Sequence, residues 1–214
     1  MDRFIKDFAA IADDADEELI LCLDNGVAYQ RDMTRPVEYG SDYFEKYVSY
    51  EGLEIARKIN HARVRLVNRH VGPATRVLDI GIGSGEFIKS RPNTYGCDVN
   101  PVACQWLEDR KLLGAIVDFN VFSLWDVIEH LPEPENYFNR MRSGAFLFTC
   151  LPIFDALSDV RGSKHFRPNE HFYYWTANGF IDWMNLHKFD LVMLTNDETE
   201  AGREQILSFA FKKR

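Results

Sequence analysis

The stretch VLDIGIGSGEF, residues Val77–Phe87, decides the fold class of this chain. It runs from a short apolar strand into three glycines at alternate positions, and a helical segment begins at once. Glycine lets the backbone turn tightly and approach a ligand closely. The free backbone N–H groups at the start of the helix favour an anionic group or an oxygen acceptor. The pattern therefore predicts a strand–turn–helix unit with a ligand at the end of the strand.

An acidic residue ends the next predicted strand. Asp98 lies nineteen residues after Asp79, and an acid at this place can accept two hydrogen bonds from a ribose diol. A dinucleotide fingerprint would need a third glycine where this chain has Glu86. An acid such as Asp79 before the first glycine is unfavourable for a pyrophosphate, whereas it suits a ligand that carries an ammonium and a sulfonium. A nicotinamide cofactor is therefore the weaker alternative.

Around this unit, short apolar strands alternate with helices. Strands are predicted at residues 76–80, 95–98, 115–119, 122–125 and 145–150, and two antiparallel strands follow near 189–194 and 205–211. Asn100-Pro101 and Thr176 are expected to begin helices, because both give good N-terminal caps. The first of these helices should run to about Leu113, a further helix is expected from Glu135 to Arg142, and a long loop is expected from Pro152 to Tyr174. Such alternation is typical of an α/β open sheet with helices on both faces.

The N-terminal part has a different pattern. Asn25-Gly26 between two apolar runs predicts a β-hairpin, since both turn positions need a positive φ. Helical patterns occur at residues 4–11, at 41–47 and, as a longer amphipathic stripe, at 51–71. We therefore divide the chain into an N-terminal helix and hairpin accessory segment, residues 1–50, and a ligand-binding domain, residues 51–214.

The chain resembles the class I S-adenosylmethionine-dependent methyltransferases. Val77–Phe87 is similar to their first motif and Tyr95–Asp98 to their ribose-binding strand end. LWDVIEHLP, Leu124–Pro132, is similar to the D-V-x-E-H-x-P stretch of a subgroup that includes ubiquinone-pathway O-methyltransferases and sugar methyltransferases. The resemblance implies a Rossmann-like, doubly wound sheet of seven strands, mostly parallel with an antiparallel last strand.

The same resemblance implies S-adenosylmethionine as cofactor and assigns its contacts. The methionine moiety would lie against Asp79, Gly81, Gly83 and Gly85, the ribose against Asp98, the adenine beside Val99, and the sulfonium near Trp125. Asp118 is expected either to bind the adenine amino group or to cap a tight turn. The aromatic residues Tyr43, Phe44 and Tyr47 would either close over the cofactor or anchor their helix to the sheet through a hydrophobic contact.

The residues for methyl transfer are expected after the fourth predicted strand. Asp126, Glu129 and His130 have the spacing i, i+3, i+4, so a helical turn would bring them to one face at the carboxyl end of the sheet. His130 could act as a base, with Glu129 or Asp126 orienting it.

A fourth candidate, His171, lies in the segment Lys164–Thr176. This segment resembles a D-H-x-F-E-W-T stretch of the small-RNA 3′-terminal methyltransferases, and the resemblance implies a shared magnesium site with Asp126, Glu129 and His130. Three interpretations stay open: an acid–base or substrate-positioning cluster, a divalent metal site, and helix capping with surface charge. A metal is thus a possibility that we do not predict.

Composition limits the partners. The chain has 214 residues, 46% of them hydrophobic, and 25 basic against 33 acidic side chains give a net charge of −8, so nucleic-acid binding is not expected. We also expect no membrane partner, because no apolar run reaches the length of a membrane span. Four cysteines without a C-x-x-C pair and a charged N-terminus suggest a reduced, cytoplasmic protein.

The expected function is methyl transfer to a hydroxyl or amine of a small molecule. Lys164, His165 and Arg167 form a basic loop that would suit a phosphate- or carboxylate-bearing acceptor, although such a loop can also be merely solvated. The alternatives are an RNA- or protein-terminus methyltransferase with a divalent metal, and a non-catalytic S-adenosylmethionine-binding module.

Overall fold

The computed structural model describes residues 19–22, 25–34, 48–49 and 52–214. In this part of the chain the elements are β1 (Leu19–Cys22), β2 (Val27–Gln30), α1 (Glu54–Val71), β3 (Val77–Ile80), α2 (Glu86–Ser90), β4 (Thr94–Cys97), α3 (Pro101–Asp109), β5 (Val121–Trp125), α4 (Glu135–Phe138), β6 (Phe146–Phe154), β7 (Tyr173–Thr176), α5 (Ala177–Leu186), β8 (Phe189–Thr195), α6 (Asp197–Glu200) and β9 (Ile206–Lys213).

The centre of the sheet consists of four parallel strands in the order β4-β3-β5-β6. β9 pairs antiparallel with the other edge of β6, and β8 pairs antiparallel with β9. The predicted α/β, Rossmann-like sheet with an antiparallel last strand is therefore confirmed.

The described sheet has nine strands rather than seven. β6 continues to Phe154, beyond its pairing with β5, and there pairs in parallel with β7. β2 pairs antiparallel with β7, and β1 pairs antiparallel with β2. The hairpin predicted at Asn25-Gly26 thus exists and extends the same sheet.

Side chains alternate between the two faces of the sheet, which gives two main core clusters. Leu147 of β6 lies in the cluster that also contains Trp183 of α5, whereas the adjacent Phe148 lies in the cluster with Leu66 of α1. Helices therefore cover both faces, as a doubly wound sheet requires.

The short-range signals produce the expected helix starts. The Asn100 side chain accepts a hydrogen bond from Val102 N at 2.9 Å, with Pro101 at the first helical position. The Thr176 side chain accepts one from Gly179 N at 3.2 Å. These caps depend on residues that are adjacent in sequence, so the sequence alone could predict them.

The strand predicted at residues 115–119 is wrong. Ile116–Asp118 form a single 3₁₀ turn. Ile116 and Phe119 are both buried, whereas Val117 and Asp118 between them are exposed. A turn of three residues puts positions i and i+3 on one side, so this apolar pair fits the turn and not an alternating strand.

Three lengths also differ from prediction. α3 ends at Asp109 instead of near residue 113, and Lys111 shortly after it has a left-handed backbone with φ 58°. α4 ends at Phe138 instead of Arg142. The loop predicted at 152–174 contains the end of β6 and a 3₁₀ helix, Leu157–Gly162.

Some predictions lie outside the described residues. These are the helices at 4–11 and 41–47, with Tyr43, Phe44 and Tyr47. The division at residue 50 stays a prediction. Within the described ranges, every helix is either too short or too polar to cross a membrane.

Candidate active site

The glycine loop after β3 is shaped so that side chains are excluded. Gly81, Gly83 and Gly85 have φ values of 76°, 55° and 76°. A Cβ on Gly81 would lie 2.6 Å from Cγ2 of Val127, and one on Gly85 would lie 2.7 Å from the Trp106 ring. The loop therefore requires glycine both for its backbone and for its close packing.

Asp98 directly follows β4, and two backbone N–H groups orient its carboxylate. Ile82 N donates to Oδ2 at 2.8 Å and Asn100 N donates to Oδ1 at 2.8 Å. Burial raises the pKa of Asp98, and these two hydrogen bonds oppose the rise. Each oxygen keeps capacity for a further donor, so the carboxylate can still bind a diol.

Asp79 on β3 is buried, at 1% exposure. Ser123 Oγ donates to its Oδ1 at 2.6 Å. Burial raises the pKa of Asp79 to about 8, although the Ser123 hydrogen bond and the charge of Arg63 lower it. A cation that approaches this carboxyl group would favour its ionised form.

A cavity of about 1010 Å³ opens at the carboxyl ends of β3, β4 and β5. The predicted site residues that line it are Asp79, Gly81, Gly83, Asp98, Val99, Trp125, Asp126 and His130. Those that do not line it are Gly85, Asp118, Glu129 and His171. Asp118 is exposed at the end of the 3₁₀ turn, which has no side-chain cap hydrogen bond. Both interpretations of Asp118 stay predictions.

Asp126 does not share a helical face with Glu129 and His130, which corrects the prediction. Its backbone is left-handed, with φ 56°, and only Ile128–His130 form a 3₁₀ turn. Arg203 donates to Asp126 Oδ1 at 2.9 Å and Arg63 donates to its Oδ2 at 3.0 Å. Burial would raise the pKa of Asp126, but the two arginines hold it below its usual range.

Glu129, His130 and His171 nevertheless come together. One ligand atom from each lies within 4.8 Å of the others, and the two imidazole rings meet edge to face at 4.6 Å. Glu129 is 2% exposed and burial, together with the charge of Asp126, raises its pKa. Burial lowers the pKa of His130, and burial together with His130 and Arg167 lowers that of His171 to about 3.

Within the described residues, this trio is the group with the spacing to hold a metal ion. Asp126, the fourth residue of the set that the resemblance implied, is engaged by Arg63 and Arg203 instead. The cluster within reach of one ion therefore consists of one carboxyl group and two imidazoles.

Comparison with known proteins identifies the family. A family model described as "Methyltransferase domain" matches residues 47–194. The chain belongs to this methyltransferase family. No curated protein sequence matches it.

Solved structures share the fold of this methyltransferase at low identity. A possible histamine N-methyltransferase from Thermotoga maritima is 13% identical, with a TM-score of 0.57 over 81% of this chain and 97% of that one. A methyltransferase from Archaeoglobus fulgidus is 16% identical, with a TM-score of 0.56 over 80% and 99%. Magnesium protoporphyrin IX methyltransferase from Synechocystis, solved with bound S-adenosylhomocysteine, is 11% identical, with a TM-score of 0.53 over 81% and 94%.

The methyl donor of this methyltransferase is S-adenosylmethionine, and the residues present fit it. The glycine loop lines the cavity with Gly81 and Gly83, which bring backbone and no side chain to the ligand, and Asp98 offers oriented oxygens at the next strand end. Asp79, Glu86 and Asp98 place three carboxyl groups at this end of the cavity, which suits a ligand with two positive groups because each would favour the ionised form of a carboxyl group. The individual contacts stay predictions.

The partners of Asp126 were not predicted from the sequence. Arg63 Nε donates to Glu198 Oε1 at 2.8 Å, and Arg203 also pairs with Glu198, so two arginines and two acids form one buried network. The position of Arg63 within the apolar stripe of α1 could have indicated an ion-pair network. Arg203 lies in a polar loop, so its position gave no indication of the network.

The basic loop makes its own contacts away from the cavity. Lys164 pairs with Glu204 at 2.6 Å and Arg167 pairs with Glu170 at 3.2 Å. His165 contacts Glu204 O at 3.0 Å. None of the three basic side chains lines the cavity.

Proposed function

We propose that this methyltransferase transfers a methyl group to a hydroxyl or amine of a small molecule, and that His130 is the base that faces the acceptor. The observation that carries the proposal is that one cavity is lined by the glycine loop and Asp98 and also by His130. Donor and acceptor can therefore meet in one cavity, where their alignment accelerates transfer.

The hydrogen bond of His130 supports its role as a base. Nδ1 lies 3.0 Å from the carbonyl oxygen of Glu170. Because a carbonyl only accepts hydrogen bonds, Nδ1 must carry the proton, which leaves Nε2 with a free lone pair. Burial lowers the pKa of His130 from its ordinary value, so the neutral, proton-accepting form dominates at pH 7.

The neighbours of His130 have supporting roles. Asp126 has a lowered pKa and a fixed position between two arginines, so it holds the end of β5 and does not accept a proton at neutral pH. His171 packs edge to face against His130 and orients its ring. S-adenosylmethionine supplies a methyl group on a sulfonium. His130 takes up the proton that the acceptor loses.

Calorimetry with separate ligands tests the cofactor. We expect S-adenosylmethionine and S-adenosylhomocysteine to bind and NAD to show no heat of binding. Binding of NAD alone would contradict the proposal.

Asp98→Ala should weaken S-adenosylhomocysteine binding. The substitution removes a hydrogen bond to a charged group, which contributes about 1.5–3 kcal/mol.

The catalytic role needs a turnover assay with hydroxyl- and amine-bearing acceptors. His130→Gln should lower kcat by about 10²–10⁴-fold and leave S-adenosylhomocysteine affinity unchanged. His61→Gln, an exposed histidine of α1, is the matched control and should retain full activity. If His130→Gln is as active as His61→Gln, His130 is not the base. Cofactor binding without turnover on any acceptor would support the non-catalytic module.

The second candidate is a metal-dependent methyltransferase for an RNA or protein terminus. The approach of Glu129, His130 and His171 within 4.8 Å favours it. This second function predicts that EDTA abolishes turnover and that added Mg²⁺ or Mn²⁺ restores turnover. Turnover unchanged by EDTA would exclude this candidate.

A further inference from the structure

The chain turns abruptly where β5 ends, and Asp126 is the residue that makes the turn. Its backbone is left-handed, with φ 56°, a conformation that most side chains disfavour and aspartate tolerates better. β5 is paired on both sides, and Asp126 N still donates to Cys150 O of β6 at 2.9 Å. The turn therefore starts from a fixed point of the sheet, and the contacts of the Asp126 side chain have to hold it.

Arg203 contacts both oxygens of the Asp126 carboxylate. Its two terminal nitrogens donate to Oδ1 at 2.9 Å and to Oδ2 at 3.0 Å, whereas Arg63 donates to Oδ2 at 3.0 Å. A pair of parallel hydrogen bonds between a guanidinium and a carboxylate fixes direction as well as distance. Glu198, whose side chain is fully buried, pairs with the same guanidinium at 2.6 Å and so holds Arg203 in place.

The turn at Asp126 sets the position of Val127 and, through it, that of His130. Val127 packs so closely against the glycine loop that a Cβ on Gly81 would lie 2.6 Å from its Cγ2. The carbonyl oxygen of Val127 accepts a hydrogen bond from His130 N at 3.0 Å. Asp126, Val127 and His130 all line the cavity. A shift of the turn would therefore move His130 relative to the glycine loop.

The connection between α6 and β9, which carries Arg203, also supports the basic loop. Glu204 of this connection pairs with Lys164 at 2.6 Å. The basic loop continues to Glu170, whose carbonyl oxygen lies 3.0 Å from His130 Nδ1. The connection thus reaches His130 from two directions, since Arg203 acts on its backbone through the turn and the basic loop acts on its ring.

The charges around Arg203 argue against a direct contact with an acidic acceptor. Arg63 and Arg203 each pair with both Asp126 and Glu198, so two positive charges meet two negative ones. A carboxylate or phosphate on the acceptor would have to displace one of these partners, which would leave an acid without its cation. The position of Arg203 therefore suits a residue that holds Asp126.

We propose that Arg203 is a positioning residue for methyl transfer, which fixes the turn at Asp126 and thereby holds His130 where it faces the acceptor. The inference rests on the proposed function, because it needs His130 to be the base. It involves no contact between Arg203 and the cofactor or the acceptor. Loss of Arg203 should therefore lower kcat and leave binding unchanged.

Turnover of Arg203→Ala and Arg203→Lys, with the acceptor that the turnover assay identifies, tests the proposal. In Arg203→Ala, kcat should fall by about 10–100-fold, as expected when a reacting group is displaced by about 1 Å. The Kd of S-adenosylhomocysteine and the KM of the acceptor should stay within about twofold of the native values. Arg203→Lys keeps the charge but loses the forked geometry, so its kcat should lie between those of the native chain and Arg203→Ala.

Arg65→Ala is the matched control for the loss of an arginine. Arg65 lies on α1 and pairs with Asp197 of α6, and its side chain is 61% exposed. Because this pair lies outside the described lining of the cavity, Arg65→Ala should keep the native kcat.

A double-mutant cycle with His130→Gln separates positioning from a purely structural role. If Arg203 acts through His130, Arg203→Ala should cause no further loss of kcat once His130 has been replaced. A structural role, or a contact between Arg203 and the acceptor, would instead multiply the two losses. Each variant is assayed below its own thermal midpoint, and the cycle with Arg203→Lys decides if Arg203→Ala does not fold.

The outcomes separate this inference from the proposed function. Full activity of His130→Gln would overturn the proposed function and this inference with it. Only this inference would be overturned if His130→Gln were impaired as expected and the losses in the cycle multiplied. The same holds if replacement of Arg203 left kcat unchanged, or raised the KM of the acceptor without lowering kcat.

Discussion

Asp79 shows how one residue can be destabilising in the free protein and suited to a ligand. Its pKa is raised by burial from 3.8 to about 8. Between these values the folded chain keeps a proton that the unfolded chain has released, so the stability linked to Asp79 is lost as pH rises from near 4 to near 8. We expect Asp79→Asn to have a higher thermal midpoint than the native chain at pH 8.5 and a similar one at pH 4.

Thermal unfolding at several pH values measures this difference. Asp182→Asn, an exposed aspartate of α5, is the control and should follow the native pH profile. If the thermal midpoints of Asp79→Asn and of the native chain changed in parallel with pH, Asp79 would already be ionised at neutral pH.

At the scale of elements, the hairpin depends on close contact between two glycines. A Cβ on Gly179 of α5 would collide with the carbonyl group of Gly26 in the hairpin turn. Thr176 N donates to Gly26 O at 2.9 Å, which docks the turn onto the start of α5. Gly179→Ala should therefore destabilise the fold by about 1–3 kcal/mol, even though alanine favours helices more than glycine does.

Chemical denaturation gives the free energy of unfolding for this comparison. Gly162→Ala is the matched control, because open space surrounds the position where its Cβ would lie. Its free energy of unfolding should change little. If Gly179→Ala proved as stable as Gly162→Ala, the hairpin would not be docked through this contact.

At the scale of the whole molecule, one ion-pair network joins distant parts of the chain. Arg63 on α1, Asp126 after β5 and Arg203 before β9 meet in the wall of the cavity and pair there with each other or with Glu198 on α6. Glu198 has a fully buried side chain, so Glu198→Gln would leave two partly buried arginines with one acid. We expect a loss of about 3–5 kcal/mol, or roughly 6–20 °C in thermal midpoint.

Glu204→Gln is the control variant for Glu198→Gln. Glu204 pairs with Lys164 on the surface, where its side chain is 78% exposed. Such a pair contributes about 1 kcal/mol or less. If the thermal midpoints of Glu198→Gln and Glu204→Gln fell by the same small amount, the ion-pair network around Glu198 would not stabilise the fold.

Several features could be predicted from sequence because their causes are local. The glycine loop, the Asn25-Gly26 turn and the caps at Asn100 and Thr176 follow from backbone preferences over a few residues. The strand at 115–119 failed for the same reason, since Ile116 and Phe119 form an apolar pair that fits a 3₁₀ turn as well as a strand.

The amino-acid order by itself therefore determined the α/β class, the antiparallel end of the sheet and the glycine loop after β3. Only the tertiary structure decided that Asp126 pairs with Arg63 and Arg203 while Glu129, His130 and His171 cluster without it. The physical reason is that these contacts join residues separated by tens of positions or more. Their partners depend on how strands and helices pack, which no short stretch of chain encodes.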